Sequence, residues 1–138
     1  MANTMTIPFF QANPDIIKPY ALMDLDDTLF QTQRKIDAWD LPTSEPENLV
    51  CATVNKQGKP LSFMSQRQAA FFNWLLASTE LIVVTARDRD EIKRVKLPFD
   101  SWQVLTHGAI ILDRDGTLQA QWQKRMHSAL APLQDKLQ

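Results

Sequence analysis

Short apolar runs and longer amphipathic segments alternate along this chain, with polar or proline-containing stretches between them. Residues 20–23 and 81–84 are apolar runs of strand length. Both predict buried strands, and the second is expected to be covered on both faces, as in a parallel sheet. Between them, Ser65 and Gln68 form a capping-box pattern that predicts a helix to about Ser78. This order of strand, helix and strand predicts an α/β domain.

The apolar positions of this helix are spaced to form one face, which we expect to pack in the core; they are Ala70, Phe71, Trp74 and Leu75. The same signals predict further elements: a hairpin from 48–54 and 61–64, a short helix capped by Asp88 and Glu91, a strand at 102–105, a turn at 113–116 and a helix at 120–137 containing Pro132. Residues 31–47 predict a connecting loop with one short turn. The chain then divides into an irregular lead-in, residues 1–18, and one core domain, residues 19–138.

Composition limits the classes of function that fit this chain. The 138 residues allow one domain, 44% of them are hydrophobic, and the net charge is −1. Because no basic stripe is present, nucleic acid and anionic membranes are not expected as partners. No segment has the pattern of a signal peptide or a membrane span, and the single cysteine, Cys51, suits a reducing compartment. We therefore expect a cytoplasmic protein.

Three carboxylates follow the first predicted strand, at Asp24, Asp26 and Asp27, and Thr28 comes directly after them. Carboxylates at the edge of a core need partners, and three so close together repel each other. Hard oxygen ligands suit Mg²⁺, which we expect at Asp24 and Asp26, with Asp27 as a further candidate. One carboxylate of such a pair can act as a nucleophile and the other as a proton shuttle. The alternative is a solvated turn or a helix N-cap without chemistry.

The segment Asp24-Leu25-Asp26-Asp27-Thr28-Leu29 resembles motif I of the haloacid dehalogenase (HAD) superfamily. The segment Leu81-Ile-Val-Val-Thr-Ala-Arg87, an apolar strand closed by Thr85, resembles motif II. The resemblance implies a Rossmann-like HAD core with a parallel sheet and a β-hairpin flap that shields the site.

The HAD resemblance also implies roles for individual residues. Asp24 would attack phosphorus and form an aspartyl-phosphate, while Asp26 would protonate the departing alkoxide and later deprotonate the hydrolytic water. The Asp24 carboxylate and the Asp26 backbone carbonyl would hold Mg²⁺. Thr85, with Thr28 and Arg87, would bind the phosphate. For Arg87 an ion pair with the surface acids Asp88, Asp90 or Glu91 is an equal alternative.

A third segment, Thr106–Leu118, is similar to part of the Cof-type, C2-capped HAD phosphatases, a branch that includes the sucrose-phosphate phosphatases. That branch places an asparagine before Gly108, where this chain has His107, and we expect a structural or surface role for this histidine. The cap and the superfamily's motifs III and IV, a basic residue and an acidic pair, have no recognisable counterpart here. We therefore expect only the N-terminal half of a HAD core, with little activity by itself.

Two hypotheses follow for the function. The first is a Mg²⁺-dependent phosphohydrolase that acts on a small phosphate monoester, such as a sugar phosphate. The alternative is a non-catalytic HAD-like half-domain that works by association with another chain. The exposed sheet edges and apolar faces of such a half-domain favour self-association.

Overall fold

The computed structural model describes residues 18–39 and 48–136. Within them lie the strands β1 (Tyr20–Met23), β2 (Gln31–Thr32), β3 (Val50–Val54), β4 (Pro60–Met64), β5 (Glu80–Val84), β6 (Gln103–Leu105) and β7 (Ile110–Leu112). The α-helices are α1 (Gln33–Ala38), α2 (Gln66–Ser78), α3 (Arg89–Ile92) and α4 (Ala120–Gln134). A 3-10 turn at Thr106–Gly108 joins β6 to β7. The predicted lead-in falls outside the described residues except for Lys18.

The larger sheet has the order β1-β5-β6-β7, in which β1, β5 and β6 are parallel and β7 is antiparallel. Met23 lies opposite Val83, and Val83 lies opposite Gln103. The strands that precede Asp24 and Thr85 are therefore parallel neighbours, as predicted, and the predicted α/β class is confirmed. This arrangement sets the carboxyl ends of three strands at one edge, which is where open α/β sheets bind ligands.

The smaller sheet, of order β2-β4-β3, contains the predicted hairpin. Its outer strand is joined to the segment after α3, because the Val54 amide donates to the Arg94 carbonyl (3.0 Å) and the Lys96 amide donates to the Ala52 carbonyl (2.7 Å). One core joins the two sheets and helix α2; it consists of Leu25, Leu29, Phe30, Ala52, Met64, Phe72, Leu75, Leu81, Val83, Ile92, Val95, Leu105 and Leu112. The hairpin is thus packed onto the domain rather than free of it.

The local hydrogen-bond signals are confirmed. Both predicted capping boxes are present, Ser65 with Gln68 at the start of α2 and Asp88 with Glu91 at the start of α3. The predicted turn is also present, since the Gly116 amide donates to the Asp113 carbonyl at 2.8 Å. Each of these bonds joins residues three positions apart, so the sequence alone specifies the partners.

The predicted core face of α2 is correct only at Leu75, because Ala70, Phe71 and Trp74 are exposed. Phe72 and Leu75 are the buried residues, whereas Phe71 and Trp74 are 45% and 48% exposed and stack on each other. Helical periodicity shows which residues share a face, but with aromatic residues on both sides it does not decide which face meets β5.

Residues 20–23 form the predicted strand, but the strand is not buried as predicted. Tyr20 and Leu22 are 62% and 66% exposed, while Ala21 and Met23 pack against the core. Among the described strands β1 is at the edge of the sheet, and the face that carries Tyr20 and Leu22 is open to solvent. An apolar run can therefore be half-buried when only one face of the sheet is covered.

Residues 31–39 are not the loop that their polarity predicts. Gln31 and Thr32 form β2, which pairs with β4, and α1 follows directly, with Ile36 buried. Tertiary pairing has overridden the weak local preference. The rest of the predicted loop, residues 40–47, lies outside the described residues.

Helix α4 matches the predicted terminal helix and runs from Ala120 to Gln134 with Pro132 inside it. None of its residues is buried, although the Trp122 indole donates to the Gly108 carbonyl at 2.9 Å and attaches its first turn to the sheet. Across the described residues no helix has both the length and the apolar character that crossing a bilayer requires.

Candidate functional site

The loop after β1 is a tight turn around one carbonyl group. The Leu25 carbonyl accepts hydrogen bonds from the amides of Thr28, Leu29 and Phe30, at 3.2, 2.9 and 3.3 Å. Leu25, Leu29 and Phe30 are buried, whereas the three aspartates of the loop are exposed. Asp27 has a φ of +62°, a left-handed conformation that aspartate tolerates better than most residues. The turn therefore directs its carboxylates away from the core.

The three carboxylates of this loop point to three different partners. The Thr28 hydroxyl donates to Asp24 Oδ2 at 3.2 Å. Asp26 pairs with Arg87, and Asp27 pairs with the Lys35 ammonium. The chain itself thus supplies cations for two of the three acids. The third acid, Asp24, has a neutral hydroxyl as its partner among the described residues.

This arrangement bears on the expected metal ligands, Asp24 and Asp26. No cluster of three or more His, Cys, Asp or Glu side chains suited to a metal occurs in the described part of the chain. Asp24 still fits as an oxygen ligand of Mg²⁺, because its charge has no compensating cation among the described residues. Both Asp26 carboxylate oxygens accept a hydrogen bond from Arg87, which suits the expectation that the Asp26 backbone carbonyl, rather than its carboxylate, would be the metal ligand.

Arg87 is the residue that joins the two strand-end loops. Its Nε and Nη2 donate to Oδ2 and Oδ1 of Asp26, both at 2.8 Å, which is the bidentate geometry of a strong guanidinium–carboxylate pair. The guanidinium carbon lies 5.6 Å from the centre of the Phe30 ring. The hydrogen bonds to Asp26 raise the pKa of the Arg87 guanidinium; burial opposes this rise, and the charges of Asp26 and Glu91 add to it.

The ion-pair partner of Arg87 is not one of the neighbouring surface acids that were predicted as an alternative to phosphate. It is Asp26, which is 61 positions earlier in the chain. The ion pair depends on β1 and β5 lying side by side, and that adjacency was itself predicted. An arginine and an aspartate, each three positions after the end of one of the two strands, are the signal that would have found it.

Thr85 is 4% exposed and lies between two loops at the carboxyl edge. Its amide donates to the Val104 carbonyl (2.9 Å), and its hydroxyl oxygen accepts from the Arg87 amide (3.2 Å). Because that oxygen already accepts a hydrogen bond, the hydroxyl proton is oriented to donate to another group. This geometry suits contact with a phosphoryl oxygen.

The loop after β6 is hydrogen-bonded to the loop after β5. The Thr106 amide donates to the Arg87 carbonyl at 3.0 Å, and the His107 amide donates to the Thr85 carbonyl at 3.3 Å. Thr106 and His107 both have left-handed backbones, with φ of 51° and 54°, which costs conformational energy outside glycine. The backbone of His107 is therefore held beside Thr85, while its side chain is exposed, as a surface role predicts.

The structure thus brings together most of the predicted site residues: Thr28 contacts Asp24, Arg87 contacts Asp26, and Thr85 contacts Arg87. Lys35 was missed, because it lies on α1 in a segment that the sequence predicted to be a loop. Neither a scan against protein-family models nor a search of the curated proteins finds a match to this chain.

Proposed function

We propose that this protein is a Mg²⁺-dependent phosphohydrolase of the HAD type that acts on a small phosphate monoester, such as a sugar phosphate. The observation that carries the proposal is the parallel adjacency of β1 and β5, which are followed directly by Asp24 and Thr85. In the proposed complex a single phosphate at this edge contacts both a carboxylate nucleophile and a buried hydroxyl donor. The bidentate contact between Asp26 and Arg87 supports the proposal, since it keeps a second carboxylate beside the first.

The proposed reaction has two steps. In the first, an Asp24 carboxylate oxygen bonds to phosphorus while the bond from phosphorus to the alkyl oxygen breaks, and the alkoxide takes a proton from Asp26. In the second, water attacks the phosphorus of the aspartyl-phosphate. Asp26 accepts a proton from that water, and the electron pair of the broken bond returns to Asp24. Thr85 donates a hydrogen bond to a phosphoryl oxygen in both steps.

Mg²⁺ at the Asp24 carboxylate and the Asp26 carbonyl would neutralise the repulsion between an anionic nucleophile and an anionic phosphate. Asp24 fits this role, as its partner among the described residues is the neutral Thr28 hydroxyl. We infer that Asp27 does not take part, because its carboxylate is paired with Lys35.

The test is hydrolysis of p-nitrophenyl phosphate by the purified chain, with and without Mg²⁺. Turnover is expected to be slow, so the assay uses high protein concentration and follows p-nitrophenolate for hours. Asp24→Asn should abolish turnover, because an amide is a poor nucleophile and removes the metal's anionic ligand. Asp37→Asn, an exposed acid on α1, is the matched control and should retain the wild-type rate.

The alternative is a non-catalytic half-domain that associates with another chain. The exposure of Tyr20 and Leu22 on the edge strand β1 favours it. A wild-type chain with no Mg²⁺-dependent turnover, or turnover that survives Asp24→Asn, would exclude the phosphohydrolase proposal and leave this alternative.

A further inference from the structure

We infer that Arg87 is a positioning residue for the water-activation step, and that it acts through Asp26 rather than by binding the substrate phosphate. The inference rests on the proposed function. It is based on the bidentate ion pair, in which Nε and Nη2 of Arg87 donate to the two carboxylate oxygens of Asp26, both at 2.8 Å. This two-point contact (the fork) fixes both the rotation and the position of the Asp26 carboxylate.

The surroundings of Arg87 hold it in place. Its side chain is 16% exposed, against 48% for Asp26, and it packs over the Phe30 ring. Its backbone is held on both sides, since its amide donates to the Thr85 hydroxyl and its carbonyl accepts from the Thr106 amide. Asp26, by contrast, is on the exposed surface of the β1 loop. The arginine is therefore the fixed partner, and Asp26 is the residue that it orients.

The fork also leaves room on Asp26 for the attacking water. A carboxylate has about four lone-pair sites, so two remain for that water while Arg87 occupies the others. In this step the water oxygen bonds to phosphorus, its proton goes to Asp26, and the bond from phosphorus to Asp24 breaks.

Loss of the fork should therefore slow the second step and spare the first when the leaving group needs no proton. The leaving group p-nitrophenolate is a stable anion at neutral pH, so transfer of phosphate from this substrate to Asp24 does not depend on Asp26 as an acid. The ratio kcat/KM reports the steps up to formation of the aspartyl-phosphate, and kcat includes its hydrolysis. A defect confined to hydrolysis lowers kcat and KM together.

The experiment compares Arg87→Met and Arg87→Lys with wild type and with Arg89→Met, an exposed arginine at the start of α3. For Arg87→Met we expect kcat and KM for p-nitrophenyl phosphate to fall together by about tenfold or more, with kcat/KM within about threefold of wild type. Arg87→Lys should recover only part of kcat, because an ammonium cannot form the fork. Arg89→Met should match wild type.

Two further measurements test the same inference. Intact-protein mass spectrometry of samples quenched during turnover should show more phosphorylated chain for Arg87→Met than for wild type, and none when Asp24→Asn is added. The double variant Asp26→Asn with Arg87→Met should have the same kcat as Asp26→Asn alone, since both changes remove one function.

The possible failures are distinguishable. A wild-type chain without Mg²⁺-dependent turnover or phosphorylated protein would overturn the proposed function, and the inference with it. Wild-type turnover combined with a raised KM and a lowered kcat/KM for Arg87→Met would overturn the inference alone and make Arg87 a phosphate ligand. Multiplicative losses in the double variant would likewise overturn it, because Arg87 would then act independently of Asp26.

Discussion

Gln31 and Gln68 exchange two side-chain amide hydrogen bonds, of 3.0 and 2.8 Å, across the junction between β2 and α2. Gln31 is 6% exposed and also donates to the Phe63 carbonyl of β4 at 3.2 Å. Gln68 additionally accepts from the Ser65 amide in the capping box of α2. The pair thus connects the end of the acidic loop, the hairpin and the helix that leads to β5.

Replacing Gln68 with alanine should lower the free energy of unfolding by about 2 kcal/mol, because the buried Gln31 amide loses both hydrogen bonds to Gln68 and α2 loses half of its capping box. Urea denaturation monitored by tryptophan fluorescence would measure the change. Gln123→Ala, on the exposed surface of α4, is the control and should change stability by about 0.5 kcal/mol or less. Equal effects of the two substitutions would show that the amide pair contributes nothing.

Thr85→Ala should reduce kcat/KM for p-nitrophenyl phosphate by roughly fivefold to tenfold, because it removes one neutral hydrogen bond worth about 1 kcal/mol among several phosphate contacts. Thr85→Ser keeps the hydroxyl and should stay close to wild type. Steady-state kinetics of both variants would test this. A loss as large as that of Asp24→Asn, or an equal loss for serine and alanine, would contradict the role given to the hydroxyl.

Mg²⁺ should bind weakly to this chain, and the binding should disappear in Asp24→Ala. Mg²⁺ demands near-octahedral oxygen coordination. Asp24 should be its carboxylate ligand, because the partner of this carboxylate is a neutral hydroxyl. Asp26→Asn should weaken binding less, since the Asp26 carboxylate is held by Arg87 and its backbone carbonyl survives the substitution. Isothermal titration calorimetry gives the comparison. Tight binding that persists in Asp24→Ala would place the metal elsewhere.

The turn after β7 contains a carboxylate with a lowered pKa. The Thr117 hydroxyl donates to Asp115 at 2.7 Å and the Thr117 amide donates at 3.0 Å, and these bonds lower the pKa of Asp115 from its ordinary value of 3.8. Because the folded-state pKa is lowered, the stabilisation is present above pH 3.8 and is lost as the pH falls through the folded value.

Thr117→Val should therefore raise the pKa of Asp115 toward 3.8, since it removes the side-chain hydrogen bond that is the largest cause of the shift. Thr117→Ser retains a hydroxyl and should keep the low value. Titration of the carboxyl carbon by NMR would measure both variants. An unchanged pKa in Thr117→Val would show that the amide bond alone lowers it.

The features that the sequence by itself determined are those whose partners are close along the chain. Ser65 and Gln68, Asp88 and Glu91, and Asp113 and Gly116 are each three positions apart, and all three interactions form as predicted. The parallel adjacency of β1 and β5 was also predictable, because two apolar runs separated by a capped helix favour a crossover connection.

Tertiary structure alone decided which faces are buried and which charges meet. Phe72 rather than Phe71 faces the core, since the packing of α2 on β5 selects between two aromatic faces of similar hydrophobicity. Lys35 reaches Asp27 only because β2 pairs with β4 and α1 forms behind it. Arg87 reaches Asp26 across 61 positions because strand order places their loops together. Local hydrogen bonds depend on spacing along the chain, whereas burial and ion pairing depend on which elements become neighbours.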